Sequence, residues 1–338
     1  MIPVDLLARG AVALLPVLAL LATLVWLDSY KLVGLRAVLL TMCAGALVAA
    51  GCYGINLALL GALPVDFGTY SRFIAPLVEE ALKGAIIVYL VRRHAIGFPV
   101  DAAVFGFAIG TGFAVIENLY YLGVFRDSHI AVWVVRGFGT AIMHGGATAI
   151  FAIVSHTLAE QRQERSFAVF LPGLLAAALV HSLYNQFLFA PVYSTLGILL
   201  FLPPVLFIVF ERSERALQRW LAADFDADTE LLELLNSGGL EHSRLGRHLD
   251  FIKQHFAPEL VADMLCYLRL HTELSMRASA MLLMRESGLE PEVDPEVRAM
   301  IEEMHYLEKS IGKTGQHAIK PFLRLSARDL WQLYMLGK

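Results

Sequence analysis

The chain reads as all-α: a polytopic membrane helical bundle of about seven transmembrane helices, followed by a small helical cytosolic C-terminal domain. Three observations predict this. Of 338 residues 57% are hydrophobic, and the mean hydropathy of +0.61 is too high for a soluble protein of this length. Charge is unevenly placed, with 21 of the 58 acidic and basic side chains in residues 1–210 and 37 in residues 211–338. Stretches of about 20 apolar residues, enough to cross a bilayer, recur through the first part and are missing from the second.

Taken in order, the apolar stretches are about 10–27, 37–62, 70–91, 101–123, 130–157, 167–190 and 192–210. The first has Arg9 against Asp5 ahead of it and no small-residue cleavage site after Trp26, so it is expected to be an anchor rather than a signal peptide. The last is the weakest, because Pro203-Pro204 is expected to interrupt it. Cys43 and Cys52 read as small core residues, and with Cys266 they show neither metal-ligand nor redox spacing.

Loop charge sets the expected orientation. Lys31, Arg36, Arg92, Arg93, Arg162, Arg165, Arg212, Arg215 and Arg219 fall on one side, and only Arg9, Arg72 and Arg126 on the other. This predicts a multi-pass protein of the plasma or inner membrane with its N-terminus outside and its C-terminus cytoplasmic. A formal net charge of −4 gives no basic footprint, which argues against a nucleic-acid partner.

In residues 211–338, helix-like periodicity is broken at Asn236-Ser237-Gly238-Gly239, at Pro258, from Gly288 to Pro295 and at Pro321. Leu260, Met264, Leu268 and His271 have the spacing of one amphipathic face. His242, His248, His255, His271, His305 and His317 form no ligand pattern and read as surface or capping residues.

The informative residues are polar ones inside apolar stretches. An ionisable side chain at membrane depth costs at least about 2.5–3.5 kcal/mol and is kept where it faces a bundle interior or water. The third stretch carries Glu79, Glu80 and Lys83, the fourth Glu117-Asn118 after Phe113, the fifth His144 and Arg136, and the sixth His181 with Asn185. At about 1.5 Å per residue, the glutamates of the pair, Glu117, His144 and His181 can share one layer in the outer half of the membrane. Glu79 and Lys83, Phe113 and Glu117, and His181 and Asn185 are each four apart, so each pair shares a helix face. Glu79 and Glu80 diverge by about 100°. One is expected to enter the site while the other holds Lys83 or a neighbouring helix.

Two chemistries suit this set. A poorly solvated carboxylate can take a proton from water while histidine and asparagine donors stabilise an oxyanion. Alternatively His144, His181 and Glu117 could hold Zn2+ or another divalent ion with one position left for water. No His-Glu-x-x-His helix is present. Arg136 reads as a counter-ion or a structural residue.

The ordered set Glu79-Glu80-x-x-Lys83, Phe113-x-x-x-Glu117-Asn118, His144 and His181-x-x-x-Asn185 resembles the PrsW family of intramembrane proteases. That family is similar to the group containing the CAAX prenyl proteases and bacteriocin-processing membrane enzymes, which carry Glu-Glu-x-x-x-Arg instead; here the basic residue is a lysine three positions after the second glutamate. The resemblance covers about residues 70–190. It implies that 1–210 is a transmembrane protease domain; it does not account for 211–338, which the sequence itself predicts to be a cytosolic helical tail, regulatory or docking a cytosolic partner. The implied substrate is a single-pass membrane protein such as an anti-sigma factor, cut on its outer side. The implied site is Glu79 or Glu80 as base, with Glu117, His144, His181 and Asn185 around it. Two other classes fit buried glutamates: a proton-coupled secondary transporter, disfavoured by the lack of visible repeats, and a non-catalytic membrane sensor or scaffold.

Overall fold

The computed structural model describes residues 4–125, 128–162, 166–188, 190–237, 243–289, 295–323 and 331, and these are mostly helical with no strand among them. Arg126, Arg165, Gly238, Gly239 and His242 lie outside the described residues. The chain packs as two units, Met1–Glu214 and Arg215–Lys338.

In the first unit the helices are α1 Val4–Leu27, α2 Leu35–Ala62, α3 Ala75–Arg92, α4 Pro99–Val124, α5 Ile142–Arg162, α6 Leu171–Asn185 and the beginning of α7, Pro191–Asn236. Two of them are entered through π-helical turns, Tyr70–Ile74 before α3 and Val135–Ala141 before α5. Among the described residues six segments are long and apolar enough to cross a membrane: Asp5–Leu27, Leu35–Ala62, Pro99–Val124, Ile130–Arg162, Phe167–Asn185 and Pro191–Asn236. The expected third span is a helix but falls outside that set. Glu79, Glu80, Lys83 and Arg92 give it more charge than a lipid-facing span carries.

Helix α4 is the centre of the bundle. Every residue from Val100 to Ala114 is buried, as expected of a helix that is apolar or small on all sides. Its glycines let α2 and α5 come to backbone contact. A Cβ on Gly110 would overlap the main-chain carbonyl of His144, and one on Gly112 that of Met42. Gly110→Ala is therefore expected to push α5 away and cost about 1–3 kcal/mol by overpacking, read as a lower thermal midpoint in detergent.

On α2 the stripe Val38, Thr41, Gly45, Ala49 and Cys52 faces inward, while Leu40, Leu47 and Leu57 face outward. Cys43 is on the outward face, which corrects its reading as a core residue; only Cys52 is buried. The segment leading to α3 starts with Asp66, whose carboxylate accepts from the Thr69 backbone N–H at 3.0 Å and its hydroxyl at 2.7 Å. Those two donors hold the Asp66 carboxyl below its usual range.

Pro203-Pro204 does not interrupt α7, which runs on for 46 residues. Two adjacent prolines leave the carbonyls of Leu199 and Leu200 without their helical donors, a loss that membrane-type helices absorb by local adjustment.

The second unit holds the rest of α7 with α8 Arg244–Lys253, α9 Pro258–Glu286 and α10 Pro295–Ile319. Ser243 caps α8 by accepting from the Gly246 N–H at 2.9 Å, and Pro258 opens α9, where a missing N–H costs nothing. Leu245, Leu249, Met264, Leu268, Met304, Leu307 and Ile311 form its core, with Leu260 packed beside it. His271 is also buried on α9, so it is neither a surface nor a capping residue. The same 3.6-residue face that carries Met264 and Leu268 takes it inward. Burial and the nearby Glu308 push the Tyr267 phenol up to about 12.

Candidate active site

The polar residues of α3, α4, α5 and α6 meet near one end of the first unit. Glu79 is one turn into α3, His181 one turn from the end of α6, and Glu117 two turns from the end of α4. That end also carries the start of α1, since Asp5, Arg9, Ser128 and His129 line a common pocket.

The adjacent glutamates separate as their angular offset requires. Glu80 is fully buried: its Oε1 accepts from Lys83 Nζ at 2.5 Å and from His181 Nδ1 at 2.8 Å. The Thr148 hydroxyl lies 3.3 Å from Glu80 Oε2 and 3.0 Å from the His144 carbonyl, so one O–H serves two acceptors. Glu79 keeps 14% of its side chain exposed and presents Oε2 to His181 Nε2 at 3.9 Å. Its Oε1 accepts from Asn56 Nδ2 at 3.1 Å, and Asn56 Oδ1 accepts from the Tyr70 hydroxyl at 2.9 Å.

Lys83, also fully buried, lies 3.3 Å from His144 Nδ1 and 4.6 Å from the centre of the Phe113 ring. Phe113 in turn packs on His144, and the two imidazoles stand edge to face at 4.7 Å. These contacts fix tautomers. A lysine ammonium can only donate, so His144 Nδ1 accepts and its Nε2–H donates to Glu117 Oε2 at 3.1 Å. His181 donates from Nδ1 to Glu80, which leaves the Nε2 lone pair directed toward Glu79.

Glu117 is 27% exposed and also pairs with Arg136 at 3.1 Å. Arg136 donates from Nε to Asn118 Oδ1 at 2.8 Å, and Asn118 donates to the Ala13 carbonyl at 2.8 Å, tying α4 and the π turn before α5 to α1. Asn185 donates to the Ser71 carbonyl at 3.1 Å. Its amide therefore braces the π turn before α3, where the sequence had it beside the reacting carbonyl.

One ligand atom each from Glu79, His144 and His181 lie within 4.8 Å of one another. Two imidazoles and a carboxylate with an open fourth position suit a divalent ion such as zinc, and His181 is already oriented by Glu80 as a metal-binding histidine is by a carboxylate that accepts from its other ring nitrogen. His144 would exchange one of its present partners for the ion. The carboxylate of this trio is Glu79 rather than the expected Glu117, whose side chain is paired with Arg136 and His144.

Thr148, Asn56 and Tyr70 escaped the sequence reading. Asn56 carried a usable signal, a carboxamide inside a 28-residue helix that is otherwise almost wholly apolar. Thr148 and Tyr70 carried none, being ordinary residues of apolar helices.

Fold and site together define a multi-pass helical membrane protein with an acid–imidazole cluster inside the bundle. Residues 33–210 match a family described as PrsW family intramembrane metalloprotease, and the chain belongs to that family. It is a membrane protease, and the transporter and scaffold classes are not favoured. No curated protein and no solved structure matches the chain.

Proposed function

We propose that this protein is an intramembrane endopeptidase that hydrolyses a peptide bond in a membrane-anchored, single-pass protein, in the manner of a first-site cut in an anti-sigma factor or similar regulator. The observation that carries this is the convergence of Glu79, His144 and His181 on one point at the partly exposed edge of a buried polar cluster. The lysine and arginine distribution supports an orientation with the N-terminus outside. The site then opens toward the outer half of the membrane, where such a substrate would be cut.

In the chemistry derived from these residues, Glu79 Oε2 takes a proton from a water molecule as its oxygen attacks the scissile carbonyl carbon. Negative charge develops on the carbonyl oxygen, and the His144 Nε2–H is a donor of the right kind to hold it. The proton then passes to the leaving amine nitrogen as the C–N bond breaks. Glu80 keeps His181 in the Nδ1–H tautomer, and Lys83 holds Glu80 in place. A divalent ion held by Glu79, His144 and His181 would supply Lewis acidity to the carbonyl and the water at this same point.

The test is cleavage of a single-pass reporter by the purified protein in proteoliposomes, with metal content measured and a chelator added. Loss of cleavage that Zn2+ restores assigns the trio as a metal site, and undiminished cleavage of a metal-free protein assigns glutamate-activated water. No cleavage of any single-pass substrate under either condition would remove the endopeptidase proposal.

A further inference from the structure

We propose that Asn56 and Tyr70 form a positioning relay that fixes the Glu79 carboxylate for reaction; this rests on Glu79 being the working carboxylate. A glutamate's terminal torsion is broad and roughly two-fold, so a carboxylate held at one oxygen only through its own stem would rotate. Here Oε1 is taken by Asn56 Nδ2 at 3.1 Å, and Oε2 is thereby the oxygen turned toward His181 Nε2. The amide has one workable orientation. Tyr70 O–H donates to Asn56 Oδ1 at 2.9 Å, which commits the amide nitrogen to Glu79, whereas a flipped amide would set oxygen against oxygen.

The three residues come from three elements: Asn56 from α2, Tyr70 from the π turn and Glu79 from α3. Tyr70 is 3% exposed, while Tyr53, Ile55 and Leu57 beside Asn56 point outward. A carboxamide on such a helix is kept for a partner, and its partners here are the phenol and the carboxylate. The π turn is itself pinned to α6 by Ser182 and Asn185, which donate to the carbonyls of Arg72 and Ser71. The relay is thus anchored at both ends.

Asn56→Leu keeps the side-chain volume and removes the donor; Tyr70→Phe removes one oxygen. Asn56→Leu is expected to lower kcat about 10–100-fold with KM within about twofold, and to lower the thermal midpoint modestly because the buried Tyr70 hydroxyl loses its acceptor. Tyr70→Phe is expected to lower kcat about 3–10-fold, the worth of one hydrogen bond. Because the two act through one carboxylate, the double variant should be no slower than Asn56→Leu. Wild-type kcat in Asn56→Leu, alongside an inactive Glu79→Gln, overturns the relay and leaves Glu79 as the base. Full activity in Glu79→Gln removes both. Should Asn56→Leu fail to fold, wild-type kcat in Tyr70→Phe overturns the relay by itself.

Discussion

Glu79→Gln is expected to abolish most cleavage while leaving the protein folded, with kcat down about 10²–10⁴-fold, the range that a general base contributes. The neighbours of Glu79 explain why stability should hold. Asn56 can donate to a glutamine carbonyl as it does to the carboxylate, and His181 Nε2 stands 3.9 Å off, too far for a bond that would be lost. No buried charge is stranded by the change. The measurement is single-turnover cleavage of a reconstituted single-pass substrate beside a thermal unfolding curve of the same preparation. A Glu79→Gln protein that cleaves at the wild-type rate would show that another group activates water.

The polar cluster was legible in the sequence because charge in an apolar stretch is costly, and that cost filters out accidents. Glu79, Glu80, Lys83, Glu117, His144 and His181 all stood out for this reason, and the structure brings them together. What the sequence left open was the sorting within the cluster. Glu79 and Glu80 are chemically identical neighbours, and only the packing of α3 against α5 and α6 decides that Glu80 meets Lys83, Thr148 and His181. Glu117 is engaged by Arg136, which reaches it from the π turn before α5, and no periodicity announces a π turn. Such turns recur at functional sites, and both of those among the described residues precede helices that carry the cluster.

The fold was legible to the same depth. Apolar length located the spans, and small residues at Gly106, Gly110 and Gly112 explain why α4 is the buried one. The extent of α7 was hidden because composition changes from apolar to charged near residue 210 while the backbone hydrogen bonding does not. Composition and backbone hydrogen bonding are separate signals, and here only the first changes.

Lys83→Met is expected to be among the most destabilising single changes in the membrane unit. Both members of the Lys83–Glu80 pair are fully buried, so removing the ammonium leaves a carboxylate with only His181 and the shared Thr148 hydroxyl to compensate it. Breaking a buried pair from one side costs about 3–5 kcal/mol. Glu80→Gln strands the ammonium between His144 and the Phe113 ring and should cost a similar amount, so its loss of activity would come with loss of fold. The double variant Glu80→Gln/Lys83→Met removes both charges and should recover most of the stability, because a neutral pair of similar volume pays no desolvation. Its activity should stay about 10–100-fold below wild type, since His181 Nδ1 no longer donates to a carboxylate and its tautomer is released. Denaturation midpoints of the two singles and the double, with cleavage rates on the same samples, separate the two roles. A Lys83→Met protein as stable as wild type would mean that the pair contributes nothing to the fold, and a fully active double variant would mean that it contributes nothing to His181.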